Sequence, residues 1–276
     1  MSDIAVITGT THGIGLVTSR ELARAGRTVV MLCRDVAAAE SVRSQIVTLH
    51  PRAAVHVVSC DLASLASVRE AAQMVRARFK RIALLINNAG MVSTRQRRSA
   101  DGFELTFATN HLGPFLLTEL LREQLHAPAR IINLASRAHY RGHLDLRRIT
   151  APRGRYSPMA AYASSKLANV MHTFALARRL AGSGIIVNCL HPGVVATNLL
   201  PRWLRLLKPL LSPVILDAEA GARTSLYLAL SNEVAQMSGC YFDEQQRLQR
   251  AAALAYEVPL QEALWDASSR WAGLGS

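Results

Sequence analysis

Ile4-Ala-Val-Ile-Thr8-Gly9-Thr10-Thr11-His12-Gly13-Ile14-Gly15 is the stretch that decides the fold. Its first five residues carry no charge and no polar alternation, the mark of a strand covered on both faces. Three glycines then open directly into a helical pattern. Such a bend has few Cβ atoms to block close approach, and the helix that follows presents free N–H groups and a positive dipole end. That combination suits a pyrophosphate. A glycine trio alone is weak evidence, but its place between the first strand and the first helix gives it weight.

Working outward, strand-like runs recur at 4–8, 28–33, 54–59, 82–87, 130–135 and 185–190, with a shorter one near 239–242. Between them, 15–25, 36–49, 65–79, 103–125 and 159–181 carry apolar residues at three- and four-residue spacing. Buried strands separated by helices predict a doubly wound α/β Rossmann fold: one domain over 1–276, with a mainly parallel seven-stranded sheet and helices on both faces. No stretch is long and polar enough to divide it.

Composition narrows the function classes. Half of the 276 residues are hydrophobic, which excludes a mainly disordered chain. The net charge is +13, and all but Lys80, Lys166 and Lys208 of the 32 basic residues are arginine. The arginines are scattered and form no basic stripe with interleaved aromatics, so a nucleic-acid binder is not expected. Cys33, Cys60, Cys189 and Cys240 match no metal or redox spacing. No metal is expected, and a reducing, cytoplasmic setting follows. The chain enters a strand at once, leaving no room for a signal peptide, and no run of 18 apolar residues spans a membrane.

Ligands of such folds bind beyond the carboxyl ends of the strands. Gly9, Thr11, His12, Gly13, Ile14 and Gly15 would hold the pyrophosphate. After the second strand, Arg34 precedes Asp35; a cation here favours a 2′-phosphate and hence NADP(H). The alternative leaves Arg34 solvated and gives the ribose to Asp35. Asp61 and Leu62 stand where an adenine edge would lie, and Asn88, Ala89 and Gly90 let backbone pass close to a ribose. Beyond the fifth strand stands Ser136, followed by Tyr162-Ala-Ser-Ser-Lys166. Residues four apart share a helix face. A phenol is a poor acid–base at neutral pH unless a cation favours its phenolate, and Lys166 is that cation.

With these residues in view, the sequence resembles the short-chain dehydrogenase/reductase family over about residues 3–242. The motifs are Thr8-Gly9-x-x-x-Gly13-Ile14-Gly15, Asn87-Asn88-Ala89-Gly90, Ser136, Tyr162-x-x-x-Lys166 and Pro192-Gly193. The resemblance implies Asn110 as a fourth catalytic residue, holding a water that links Lys166 to solvent. It also implies that Pro192, Gly193, Val195 and Thr197 line the nicotinamide. Asn133-Leu-Ala-Ser136-Arg-Ala-His139, Ala161-Tyr162 through Val170 and His191-Pro192-Gly193 look like the retinol dehydrogenase branch, whose members generally prefer NADP(H). The membrane anchor that several animal members carry at the N-terminus is not seen, and retinoid specificity is not carried over.

The resulting expectation is an NADP(H)-dependent carbonyl–alcohol oxidoreductase acting on a hydrophobic small molecule, with Tyr162 as general acid–base. The alternatives are a conjugated C=C reductase of the protochlorophyllide reductase type and a non-catalytic NADPH-binding sensor. In 198–218, Trp203, Leu207, Leu210, Leu211 and Val214 share one stripe, while Arg202, Arg205 and Lys208 fall on another. A substrate lid, a peripheral membrane contact and a helix packed on the core all fit this pattern. His139, His143 and His191 flank the expected pocket and receive no catalytic role. The family implies a homodimer through the long helices around Asn110 and Tyr162. In the C-terminal segment 244–276, residues 247–256 and 260–271 read as helical.

Overall fold

The runs without polar alternation do form the sheet; all six residues of Thr28–Cys33, for example, are buried. The computed structural model describes residues 3–150, 155–194 and 216–275. Its strands are β1 (Ile4–Thr8), β2 (Thr28–Cys33), β3 (Val55–Ser59), β4 (Ile82–Asn87), β5 (Leu125–Leu134), β6 (Ile185–Leu190), β7 (Cys240–Phe242) and β8 (Leu248–Gln249). They lie in the order β3-β2-β1-β4-β5-β6-β7-β8. Seven are parallel, and β8 runs antiparallel to β7.

The eighth strand departs from the expected seven, and it replaces the first part of the helix expected over 247–256. Asp243 explains this. Its Oδ1 accepts from the backbone N–H groups of Gln245 and Arg247 at 2.8 and 2.9 Å, and its Oδ2 accepts from Gln249 Nε2 at 2.8 Å. One carboxylate thus closes a tight hairpin, and the chain then makes only a short 3₁₀ turn at Ala253–Tyr256.

The helices are α1 (Gly13–Arg24), α2 (Val36–Leu49), α3 (Leu65–Arg78), α4 (Leu105–Phe107), α5 (Gly113–Leu121), α6 (Leu146–Thr150), α7 (Pro158–Arg179), α8 (Ala218–Leu230) and α9 (Val258–Trp271). Residues of α1, α2 and α8 pack on one face of the sheet. Those of α3, α5, α7 and α9 fill the core on the other. A buried polar ladder runs through this second core. Asn87 Nδ2 donates to Asn133 Oδ1 at 2.8 Å and to Thr118 Oγ1 at 3.0 Å, while Asn133 Nδ2 donates to Thr173 Oγ1 at 2.9 Å. Amide bonds in a buried core have few alternative arrangements, so these three bonds pin β4, β5, α5 and α7 to one register.

The chain's own α9 packs against α4, α5 and α7. Trp265 meets Phe115 edge-on at 5.1 Å, and Trp271 meets Phe107 at 6.2 Å. Arg179 stacks on Trp265 at 3.9 Å, and Glu262 accepts from Arg178 and Arg179.

Two buried histidines lie under this cover. Burial holds His111 well below its ordinary pKa and pushes His172 down to about 3. Both are therefore neutral when folded, whereas the unfolded chain takes up their protons below about pH 6.5. Stability contributed by the neutral rings is full above pH 6.5 and falls as pH drops toward 3. Replacing His172 with Leu should flatten the acid limb of a urea-denaturation series. An unchanged acid limb would show that His172 is not its source.

Candidate active site

The turn after β1 is built by contact too close for side chains. Gly9 has φ +70°, and a Cβ there would lie 2.9 Å from Ala89 Cα. At Gly15 an added Cβ would stand 2.2 Å from Gly9 O and 2.5 Å from Asn88 Nδ2. Asn88 completes the knot, donating its amide to Thr8 O and Gly9 O at 2.8 and 3.0 Å. Thr8 Oγ1 accepts from the N–H groups of Asn88 and Ala89, both at 3.0 Å. The ends of β1 and β4 are thereby locked together. At the start of α1, His12 makes no side-chain cap, which leaves first-turn N–H groups for an anion.

A cleft of about 580 Å³ opens over this loop and runs across the strand ends to the chemical residues. Gly9, Thr11, His12, Ile14 and Gly15 line it together with Arg34, Asp61, Leu62, Asn88, Ala89 and Gly90. Gly13 shapes the loop with φ +59°. Arg34 is exposed and makes no ion pair among the described residues. Asp35 instead spends Oδ1 on Ala38 N at 3.0 Å, as the N-cap of α2. Asp61 likewise uses Oδ1 on Ala63 N at 2.9 Å to close its own turn.

At the other end of the cleft lie Ser136, Tyr162 and Lys166. Ser136 caps the short 3₁₀ turn Arg137–Arg141, its Oγ accepting from Ala138 N at 3.2 Å. Burial raises the Tyr162 phenol above its ordinary value, and a hydrogen bond with Ser136 draws it partly back. Lys166 is buried, donates Nζ to Leu134 O at 2.7 Å, and sits 5.7 Å from the centre of the Tyr162 ring. Burial lowers its ammonium to about 8. Both shifts arise from loss of water, and both favour the neutral forms.

Asn110 is brought to the same place by a break in the helix expected over 103–125. A π-turn, Ala108–Leu112, separates α4 from α5. Asn110 Oδ1 accepts from Met91 N at 2.8 Å, and Nδ2 donates to Met91 O at 2.9 Å and to Ser165 Oγ at 3.0 Å. It clamps the loop after β4 onto α7. Apolar spacing is the same for a π-turn as for an unbroken helix here, so the break left no signal.

Pro192 and Gly193 line the cleft; Val195, Thr197 and nearly all of the proposed lid over 198–218 lie outside the described residues. Gly193 has φ +78° and donates its N–H to His191 Nδ1 at 3.2 Å. The other nitrogen of His191 faces Glu244 Oε2 at 3.0 Å. Sequence reasoning gave His191 no role and did not single out Glu244. Together they hold the Pro192–Gly193 turn.

A family model described as short chain dehydrogenase matches residues 3–205. Human retinol dehydrogenase 13 is 40% identical over 284 residues, covering 98% of this chain and 84% of that protein. The chain belongs to the short-chain dehydrogenase family. Among solved structures, an uncharacterised Mycobacterium paratuberculosis protein superposes with a TM-score of 0.82 at 34% identity, covering 98% of this chain and 93% of that one. A blue fluorescent protein from a metagenomic library, solved with NADPH, has a TM-score of 0.70 at 25% identity. It covers 87% of this chain and 95% of the other. A Brucella melitensis 3-ketoacyl-(acyl-carrier-protein) reductase, solved with NADH, has a TM-score of 0.67 at 26% identity, with coverages of 87% and 96%.

In this short-chain dehydrogenase the loop glycines are the most sharply testable feature. An alanine at Gly15 must push apart the Gly9 carbonyl and the Asn88 amide. Gly15→Ala should cost about 1–3 kcal/mol in urea denaturation and abolish dinucleotide binding. Wild-type stability and affinity together would contradict the close approach.

Proposed function

We propose that this short-chain dehydrogenase is an NADP(H)-dependent oxidoreductase that interconverts a carbonyl and an alcohol on a hydrophobic small molecule. The observation that carries the reading is the convergence of Ser136, Tyr162 and Lys166 in the same cleft as the Gly9–Gly15 loop. The residues present fit a dinucleotide. The glycines let the loop fold tightly against Ala89 and Asn88, α1 offers uncapped N–H groups, and Gly90 has no side chain beside Lys166, where an added Cβ would come within 3.3 Å of Nζ.

Arg34 supports the phosphorylated cofactor, being an exposed guanidinium at the strand end while Asp35 is engaged in a helix cap. Neighbours of the same fold have been solved with NADPH and with NADH, so the choice rests on Arg34. When bound, the nicotinamide supplies or accepts the hydride. The chain's own residues handle the oxygen and its proton. Tyr162, with its phenol held protonated by burial, is in the form that a general acid needs to protonate a carbonyl oxygen during reduction. Ser136 holds that oxygen beside the phenol. Lys166 exchanges a proton near neutral pH because its ammonium is lowered to about 8.

Met91, Val92, Ala138, Met159 and Val194 surround this end of the cleft, which favours an apolar substrate body. All four cysteines are free thiols, in keeping with the cytoplasmic location we assign. No helix among the described residues is long and apolar enough to cross a membrane.

Two substitutions test the reading in a nicotinamide-absorbance assay over a panel of ketones, aldehydes and alcohols. Tyr162→Phe should lower kcat by about 100- to 10,000-fold, the range of general acid–base catalysis, with NADPH affinity little changed. Substantial residual turnover would remove Tyr162 from its role. Arg34→Ala should weaken NADPH binding about tenfold or more, the value of a charge-assisted bond, and leave NADH binding unchanged. Equal losses for both dinucleotides would point away from the 2′-phosphate.

A further inference from the structure

His139 has no exposed surface, although it lies three residues from Ser136. Its Nδ1 is 2.7 Å from the carbonyl oxygen of Ser136, and its Nε2 accepts from the backbone N–H of Ala252 at 3.1 Å. A carbonyl only accepts and an amide N–H only donates, so these partners dictate a neutral imidazole with its proton on Nδ1. The ring is packed by Tyr140 at 4.1 Å and by Tyr241 of β7 at 4.8 Å. The carbonyl of Ser136 receives a second bond from the same residue, His139 N at 3.0 Å. Two donors therefore fix the peptide plane that leaves Ser136. The hydroxyl of Ser136, held by Ala138 N and bonded to Tyr162, belongs to the residue whose carbonyl is fixed in this way.

We propose that His139 is a positioning residue for Ser136. It aims the serine through its carbonyl and ties that loop to Ala252, so the segment after β8 braces the loop that carries Ser136. The proposal rests on Ser136 holding the substrate oxygen. It explains a packing that the fold alone does not require: an imidazole placed where its two nitrogens join the strand-end loop of β5 to a segment more than a hundred residues later. A ring that only filled space would need no particular tautomer.

The geometry predicts different results for two replacements. His139→Leu removes both bonds, whereas His139→Asn keeps an N–H near the position of Nδ1. In carbonyl reduction with NADPH, His139→Leu should lower kcat on the order of 100-fold, the cost of a small misplacement of a reacting group, with NADPH affinity retained. His139→Asn should recover most of that loss. In a Ser136→Ala background, His139→Leu should have almost no further effect, because nothing remains to be aimed. Equal losses in Leu and Asn variants, or the same loss with and without Ser136, would overturn the proposal.

Imidazole ¹⁵N spectra give a readout independent of turnover and of variant folding. Wild-type His139 should show the Nδ1–H tautomer, and the Nε2–H form would overturn the proposal. A protein with the Nδ1–H tautomer that binds NADPH but reduces none of the carbonyls would instead count against the functional reading.

Discussion

A buried amine organises the site. Lys166 gives a hydrogen bond to the Leu134 carbonyl, and its fall to about 8 records the loss of water around it. A charge in such surroundings is costly unless polar partners are close and fixed. The structure meets that demand with long-range restraint. Asn169 adds its amide to the same carbonyl at 3.3 Å, and the Asn87–Asn133–Thr173 ladder holds α7 against the sheet one layer deeper. The absence of a side chain at Gly90 leaves the amine its place beneath the loop after β4. Sliding α7 by a single residue along β5 would disconnect Lys166 and Tyr162 together, since both project from the same helix.

The features legible in sequence share a local cause. Parallel strands covered on both faces read as unbroken apolar runs, and β1, β2, β4 and β6 begin and end where those runs do. Gly9 and Gly15 are legible because backbone stands where a Cβ would be. Tyr162 and Lys166 are legible because one helix turn is enough to place them on one face. Electrostatics is less legible. Sequence puts an ammonium one turn from a phenol, but the two pKa shifts come from dryness, which depends on every element packed around them.

The C-terminal segment was least legible for a different reason. Its contributions to the site are made by groups every chain has, or by side chains with no motif around them. Ala252 acts through its backbone N–H, Glu244 through one carboxylate oxygen on His191, and Asp243 by closing a hairpin on itself. None of these follows from hydrophobic period. They become visible only when β7 pairs beside β6 and delivers the following residues to the mouths of β5 and β6.

The same segment also changes what the long helices present to the outside. α5 and α7 carry Phe115, His172 and Phe174, an apolar surface that needs cover. Trp265 and the 3₁₀ turn Ala253–Tyr256 supply it from within the chain, with Tyr256 stacked on Phe174 at 5.0 Å. Glu262 and Gln261 then take the arginines at the end of α7, and Ser268 meets His111 at 3.0 Å. Taking this cover away would leave His111 and Arg178 without these partners. His111 adjoins Asn110 on the π-turn, so removing the cover would loosen the residue that clamps Met91. The helix at the end of the chain is thus joined mechanically to the residues at the centre of the site.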